Sequence, residues 1–91
     1  MKPNKKKDFA LEAIHKQFEI TGIDPSVLES DPESWFNNNT MTQTQHESWK
    51  DWFIVECRKR FRTTKKMAEK EFAWFDLAYG LRIIDEGTPE N

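Results

Sequence analysis

Between Trp49 and Tyr79 the large apolar side chains recur at intervals of three and four, and eight of the chain's twelve aromatic rings fall in this stretch. That spacing stacks side chains on one face of an α-helix and does not fit the two-residue alternation of a half-buried strand. Trp49, Trp52, Phe53, Cys57 and Phe61 make one series. Met67, Phe72, Trp74, Phe75, Leu77, Ala78 and Tyr79 make a second, which covers well over half of a helix circumference. A helix apolar that far round is central in its fold or covered by a partner. Between the two lies a basic run, from Arg58 to Lys66. Trp49 and Met67 are eighteen residues apart, five helical turns, so a single helix across the run is conceivable. Thr63 and Thr64, adjacent β-branched cap formers, favour a break there.

Upstream, Leu11, Ile14 and Phe18 share a face of a helix over 8–21, with Phe9, Ala13 and Ile20 as a narrower second stripe. Gly22 is placed to end that helix in the left-handed conformation. Asp24-Pro25 and Asp31-Pro32 are two helix-start signals, an N-cap followed by proline at the first helical position. The first opens a turn near 25–29 that buries Val27 and Leu28. The second opens a turn near 32–36 anchored by Trp35 and Phe36, with Ser30 and Glu33 at capping-box spacing. Asn37, Asn38 and Asn39 read as a loop. Thr40 with Gln43, and Thr42 with Gln45, both offer a capping box for the helix over 42–62. Gly80 ends the helix over 64–80, and Leu81 to Ile84 tuck onto the core in an extended conformation.

The expected architecture is therefore all-α: three main helices and two short helical turns in a single domain over 8–84. A flexible basic tail is expected over 1–7 and a disordered acidic tail over 85–91. Ninety-one residues leave room for one core only. Its expected members are Leu11, Ile14, Phe18, Trp49, Phe53, Phe61, Phe72, Phe75 and Tyr79.

The net charge of −2 conceals segregation: +4 over residues 1–7, −7 over 8–49, +5 over 50–70 and −4 over 71–91. Blocks of this kind fold against one another or present opposite patches to charged partners. The acids Asp24, Glu29, Asp31, Glu33 and Glu47 form either a solvated surface or an imitation of a phosphate backbone. One cysteine, Cys57, excludes an internal disulfide and suits a reducing compartment. Neither a secretion signal nor an apolar run long enough to span a bilayer is present, which places the protein in the cytoplasm.

No catalytic signature emerges. Cys-x-x-Cys and His-Glu-x-x-His spacings are absent, the glycines stand alone, and no metal or cofactor is expected. Cys57 reads as a small buried hydrophobe. Two binding chemistries remain. The aromatics Trp35, Phe36, Trp52 and Trp74 are candidate anchors for another protein. Lys59, Arg62, Lys65, Lys66 and Lys70 are candidates for phosphate or nucleic acid, with Lys65 and Lys66 in a helix's first turn beside free N–H groups. The alternative for these cations is a solvated face with Lys65–Glu69 and Lys66–Glu69 pairs. The apolar excess of the last helix, at Met67, Trp74, Leu77 and Leu81, also leads us to expect self-association.

The segments Trp49-Lys50-Asp51-Trp52-Phe53, Lys65 to Phe75, and Leu77-Ala78-Tyr79-Gly80-Leu81 resemble those of small helical accessory proteins of tailed bacteriophages. The resemblance covers residues 49–81, is one of composition and pattern, and carries over no site residue. It implies a bacterial host cytoplasm and a role in modulating host or phage machinery. A non-enzymatic protein-binding module is thus the leading expectation, and a nucleic-acid-binding module using the basic turn 58–70 is the alternative.

Overall fold

The computed structural model describes residues 5–84, with side chains from residue 7 onward. Its elements are α1 (Lys5–Thr21), α2 (Ser26–Ser30), α3 (Pro32–Asn38), β1 (Thr40–Thr42), α4 (Gln43–Phe61), α5 (Lys65–Tyr79) and β2 (Arg82–Ile84). The fold is mostly helical, as expected. One tiny parallel sheet is added, in which Thr40, Met41 and Thr42 pair with Arg82, Ile83 and Ile84. No described helix is long and apolar enough to cross a membrane. Of the tails expected over 1–7 and 85–91, positions 1–4 and 85–91 lie outside the described residues, while positions 5–7 are already helical as the start of α1.

Local chemistry sets most helix ends. Thr42 closes a capping box on α4: its hydroxyl accepts from the Gln45 N–H at 3.1 Å, and the Gln45 side chain accepts from the Thr42 N–H at 2.8 Å. Thr64 caps α5 by accepting from the Met67 N–H. The break between α4 and α5 therefore falls where the paired threonines put it. Asp31 caps α3, with Pro32 as the first helical residue. Ser30 is not that cap; its hydroxyl donates to the Val27 carbonyl. Asp24 makes a turn with the Ser26 N–H, which shifts the start of α2 one residue past the expected proline. Val27 is exposed, whereas Leu28 is half-buried and packs against the core, because α2 is too short to turn both inward. Asn37 and Asn38 are helical rather than loop: α3 continues through them, and Asn39 reaches back to the Trp35 carbonyl.

The two interior glycines serve different ends. Gly22 sits at φ +75°, the left-handed C′ conformation expected of it. Gly80 is extended; it is needed because a β-carbon there would overlap the carbonyl and carboxylate oxygens of Asp76. Gly80→Ala is expected to cost about 1–3 kcal/mol in a denaturant melt, since the last turn of α5 must shift to relieve the overlap. Arg62 ends α4 in the left-handed region, at φ 50° and ψ 41°, which disfavours any residue with a β-carbon. Arg62→Gly is expected to stabilise the fold by up to about 1 kcal/mol, and Arg62→Val to destabilise it. Chemical denaturation measures both.

The core is aromatic. Trp49, Phe53 and Cys57 of α4 face Ala68 and Phe72 of α5, with Met41 and Leu81 closing one end. The Trp49 and Phe72 rings meet edge to face at 5.2 Å, as do those of Phe53 and Phe72. Phe61, Phe75 and Tyr79 are half-buried around this cluster.

The buried face of α1 differs from expectation. Phe9, Ala13 and Gln17 are buried, whereas Leu11 is 50% exposed and Phe18 also faces water. Three side chains hold the helix in this rotation by bonding to backbone. The Trp49 indole donates to the Ala13 carbonyl at 2.9 Å, Gln17 donates to the Tyr79 carbonyl at 3.0 Å, and Gln45 donates to the Ile20 carbonyl at 3.3 Å. The small side chain of Ala13 lets α1 come close enough for the first of these. Phe9 then stacks among Trp52, Phe53 and Phe61.

Candidate protein-docking site

The helices α1, α4 and α5 do not close completely. A groove of about 450 Å³ opens between them. Phe9, Phe53 and Cys57 line it and are buried, so they form its floor. Met67 and Trp74 line it and are exposed, so they form its rim. Trp74 is 72% exposed, and Leu77, one turn further along α5, is 80% exposed. The reason lies in the helical phase of α5. Ala68, Phe72, Phe75 and Tyr79 turn toward the core. Trp74 and Leu77 then fall on the opposite side of the helix, together with Lys66 and Lys70.

Of the four aromatic candidates, the structure keeps two at the surface. Trp74 stands at the rim of the groove. Phe36, half exposed, stands on α3. Trp35 is a correction: it is 2% exposed and belongs to the core, because α3 turns it inward and Phe36 outward. Trp52 is half-buried against Phe9, which leaves little of its ring free. Leu81 is likewise buried and takes no part in an exposed apolar face.

The cationic candidates are all exposed, but they do not converge on one pocket. Lys59 and Arg62 line a shallow depression with Val55, Arg58 and Thr63 at the C-terminal end of α4. Lys65 and Lys66 occupy the first turn of α5, and Lys70 lies a turn beyond. The anticipated pairs of Lys65 and Lys66 with Glu69 do not form; among the described residues neither lysine lies within ion-pair distance of a carboxylate. Arg60 differs from its neighbours. It pairs with Glu56, as their four-residue spacing suggests, and with Glu12 of α1, and its guanidinium lies over the Phe9 ring. Its role is to join α1 to α4.

His46 accompanies Asp76 at 2.9 Å, an interaction between α4 and α5 that a separation of thirty residues conceals from sequence reading. It has the outline of a catalytic pair, but among the described residues no hydroxyl or thiol bonds to the imidazole, whose side chain makes no other hydrogen bond there. Cys57, eleven residues along the same helix, is roughly 16 Å away at 1.5 Å per residue. The pair instead clamps the start of α4 to the end of α5. Glu12 and His15 have Glu-x-x-His spacing, but Glu12 is engaged by Arg60. No group of three metal-ligating side chains assembles among the described residues.

Sequence reading misses the α1 wall of the groove, Phe9 and Ala10, because the stronger-looking stripe of α1 lies on its other side. The excess of apolar positions on α5 is the signal that points to the rim. Comparisons with protein-family models, curated proteins and solved structures find no match to this chain. Fold and site together define a small, mostly helical protein with an open apolar groove beside a cationic helix end.

Proposed function

We propose that the chain is a non-enzymatic binding module that lays its groove and the outer side of α5 against another protein. The observation that carries this reading is the placement of Trp74, an indole 72% exposed on the rim of an apolar groove. A ring that size removes about 150–250 Å² from water when covered, so its exposure forgoes folding energy that association recovers. Exposed Trp beside a pocket is the usual anchor of a protein interface. A small molecule in the groove would leave Leu77 in water, whereas a protein surface covers both. The likeness of residues 49–81 to phage accessory proteins fits a module that acts on host or phage machinery in the bacterial cytoplasm.

A photo-crosslinking side chain placed at Leu77, in the cell that makes the protein, tests this reading. The expected result is a discrete adduct with one protein, with none from the same side chain at Glu29 on α2. Equal labelling at both positions would refute it.

A further inference from the structure

Resting on that docking reading, we propose a specific partner chemistry. The segment that fills the groove is amphipathic and acidic at one end, with its carboxylates placed on Arg58, Lys59 and Arg62. Thr63 lines both the apolar groove and the basic depression, so the two surfaces adjoin at the α4–α5 turn. A single segment crossing Thr63 passes from the apolar floor to the cations. Val55, half exposed within the depression, extends the apolar strip among those charges.

The cations are free to accept such a segment. Among the described residues Arg58 and Arg62 have no carboxylate within ion-pair distance, and Lys59 only just reaches Glu56, at 4.0 Å. Arg60 is already engaged and is not part of the site. Cations gathered beside an apolar groove select a partner of opposite charge and fix the direction in which it lies.

A nucleic acid fits less well. Apart from Thr63, Glu71, the Tyr79 hydroxyl, the Trp74 indole N–H and the buried Cys57 thiol, the groove lining offers no polar side chain to read a base, and the Glu71 carboxylate repels phosphate. A second copy also exposes acids and apolar side chains, Glu29, Asp31, Val27 and Phe36, on and between α2 and α3. That contact would be head-to-tail, leaving each new groove open to a further copy. A separate acidic partner closes the interaction.

A random peptide library displayed on yeast, selected for binding to the full chain, tests the proposal. Counter-selection uses Trp74→Ser, which discards peptides that ignore the groove. The expected winners carry apolar residues at helical spacing and a cluster of Asp and Glu at one end only. Synthesised, they should bind Arg58→Gln/Arg62→Asn about tenfold more weakly, with less sensitivity to salt. Asparagine tolerates the left-handed conformation at position 62, and circular dichroism confirms that the variant folds. Groove-dependent peptides without acidic enrichment would overturn the partner chemistry and leave the docking reading standing. Failure to recover any groove-dependent peptide would overturn both. The acidic partner would also be refuted by displacement of the peptides with single-stranded DNA at physiological salt. Assembly of the chain alone that Trp74→Ser abolishes would replace it with a second copy.

Discussion

Trp49→Ala is expected to lower stability by about 3–5 kcal/mol, the range for removing a large ring from a core. Trp49 is completely buried, touches Phe72 and Phe75 at edge-to-face distances, and bonds through its indole to the Ala13 carbonyl. The substitution therefore opens a cavity between α4 and α5 and also cuts a tie to α1. A domain this small has a total stability on the order of 5–10 kcal/mol, so roughly half of it would go. The melting temperature should fall by about 15–25 °C. Trp49→Phe separates the two contributions. It keeps a ring in the cavity and loses the indole donor, while the Ala13 carbonyl stays in its helix. A smaller loss of about 1–2 kcal/mol is expected.

Trp74→Ser should do the reverse. With most of the ring in water, its loss is expected to change stability by no more than about 0.5 kcal/mol. Binding to the partner should weaken by about 2 kcal/mol or more, roughly thirtyfold, as for a Trp that fills an interface pocket. On the proposed docking reading, the two tryptophans divide the roles of folding and docking. Their positions on α4 and α5 explain the division. Trp49 lies on the side of α4 that faces α5, while Trp74 is two residues past Phe72 and so about half a turn away from the core.

What sequence reading captures is the part of the structure decided within a few residues. The Thr42 box, the Thr64 cap, the Asp31-Pro32 start and the Gly22 stop are each local, and each lies where the residue types place it. The rotation of α1 is not local. Leu11, Ile14 and Phe18 are as apolar as Phe9, Ala13 and Ile20, and the decision falls to Ala13, whose small side chain admits the Trp49 indole. Gln17 is buried for a similar reason, its partner being the Tyr79 carbonyl sixty-two residues away. The β1–β2 pairing joins three-residue segments on either side of two long helices, and nothing in either segment announces the other.

The candidate site shows the same boundary. The excess of apolar positions on α5 marks a face that the core does not use, and the basic run marks the helix end that borders it. Which aromatic is the anchor depends on helix orientation. Trp35 and Trp74 are chemically equivalent in sequence, yet one is core and the other stands in water. Nor does the sequence join the groove to the cations, since that depends on Thr63 lying between them in space.

The central claim is that α5 is the docking face. It is tested most directly by isothermal titration calorimetry of the crosslinked partner, once purified, against the wild-type chain, Trp74→Ser and Phe36→Ser. Phe36 is the control, an exposed aromatic on α3, away from the groove. Thermal melts of the same samples show whether each variant is folded. The account predicts at least about thirtyfold weaker binding for Trp74→Ser with an unchanged melt, and affinity within about threefold of wild type for Phe36→Ser. Wild-type affinity in Trp74→Ser, or a loss confined to Phe36→Ser, would contradict it.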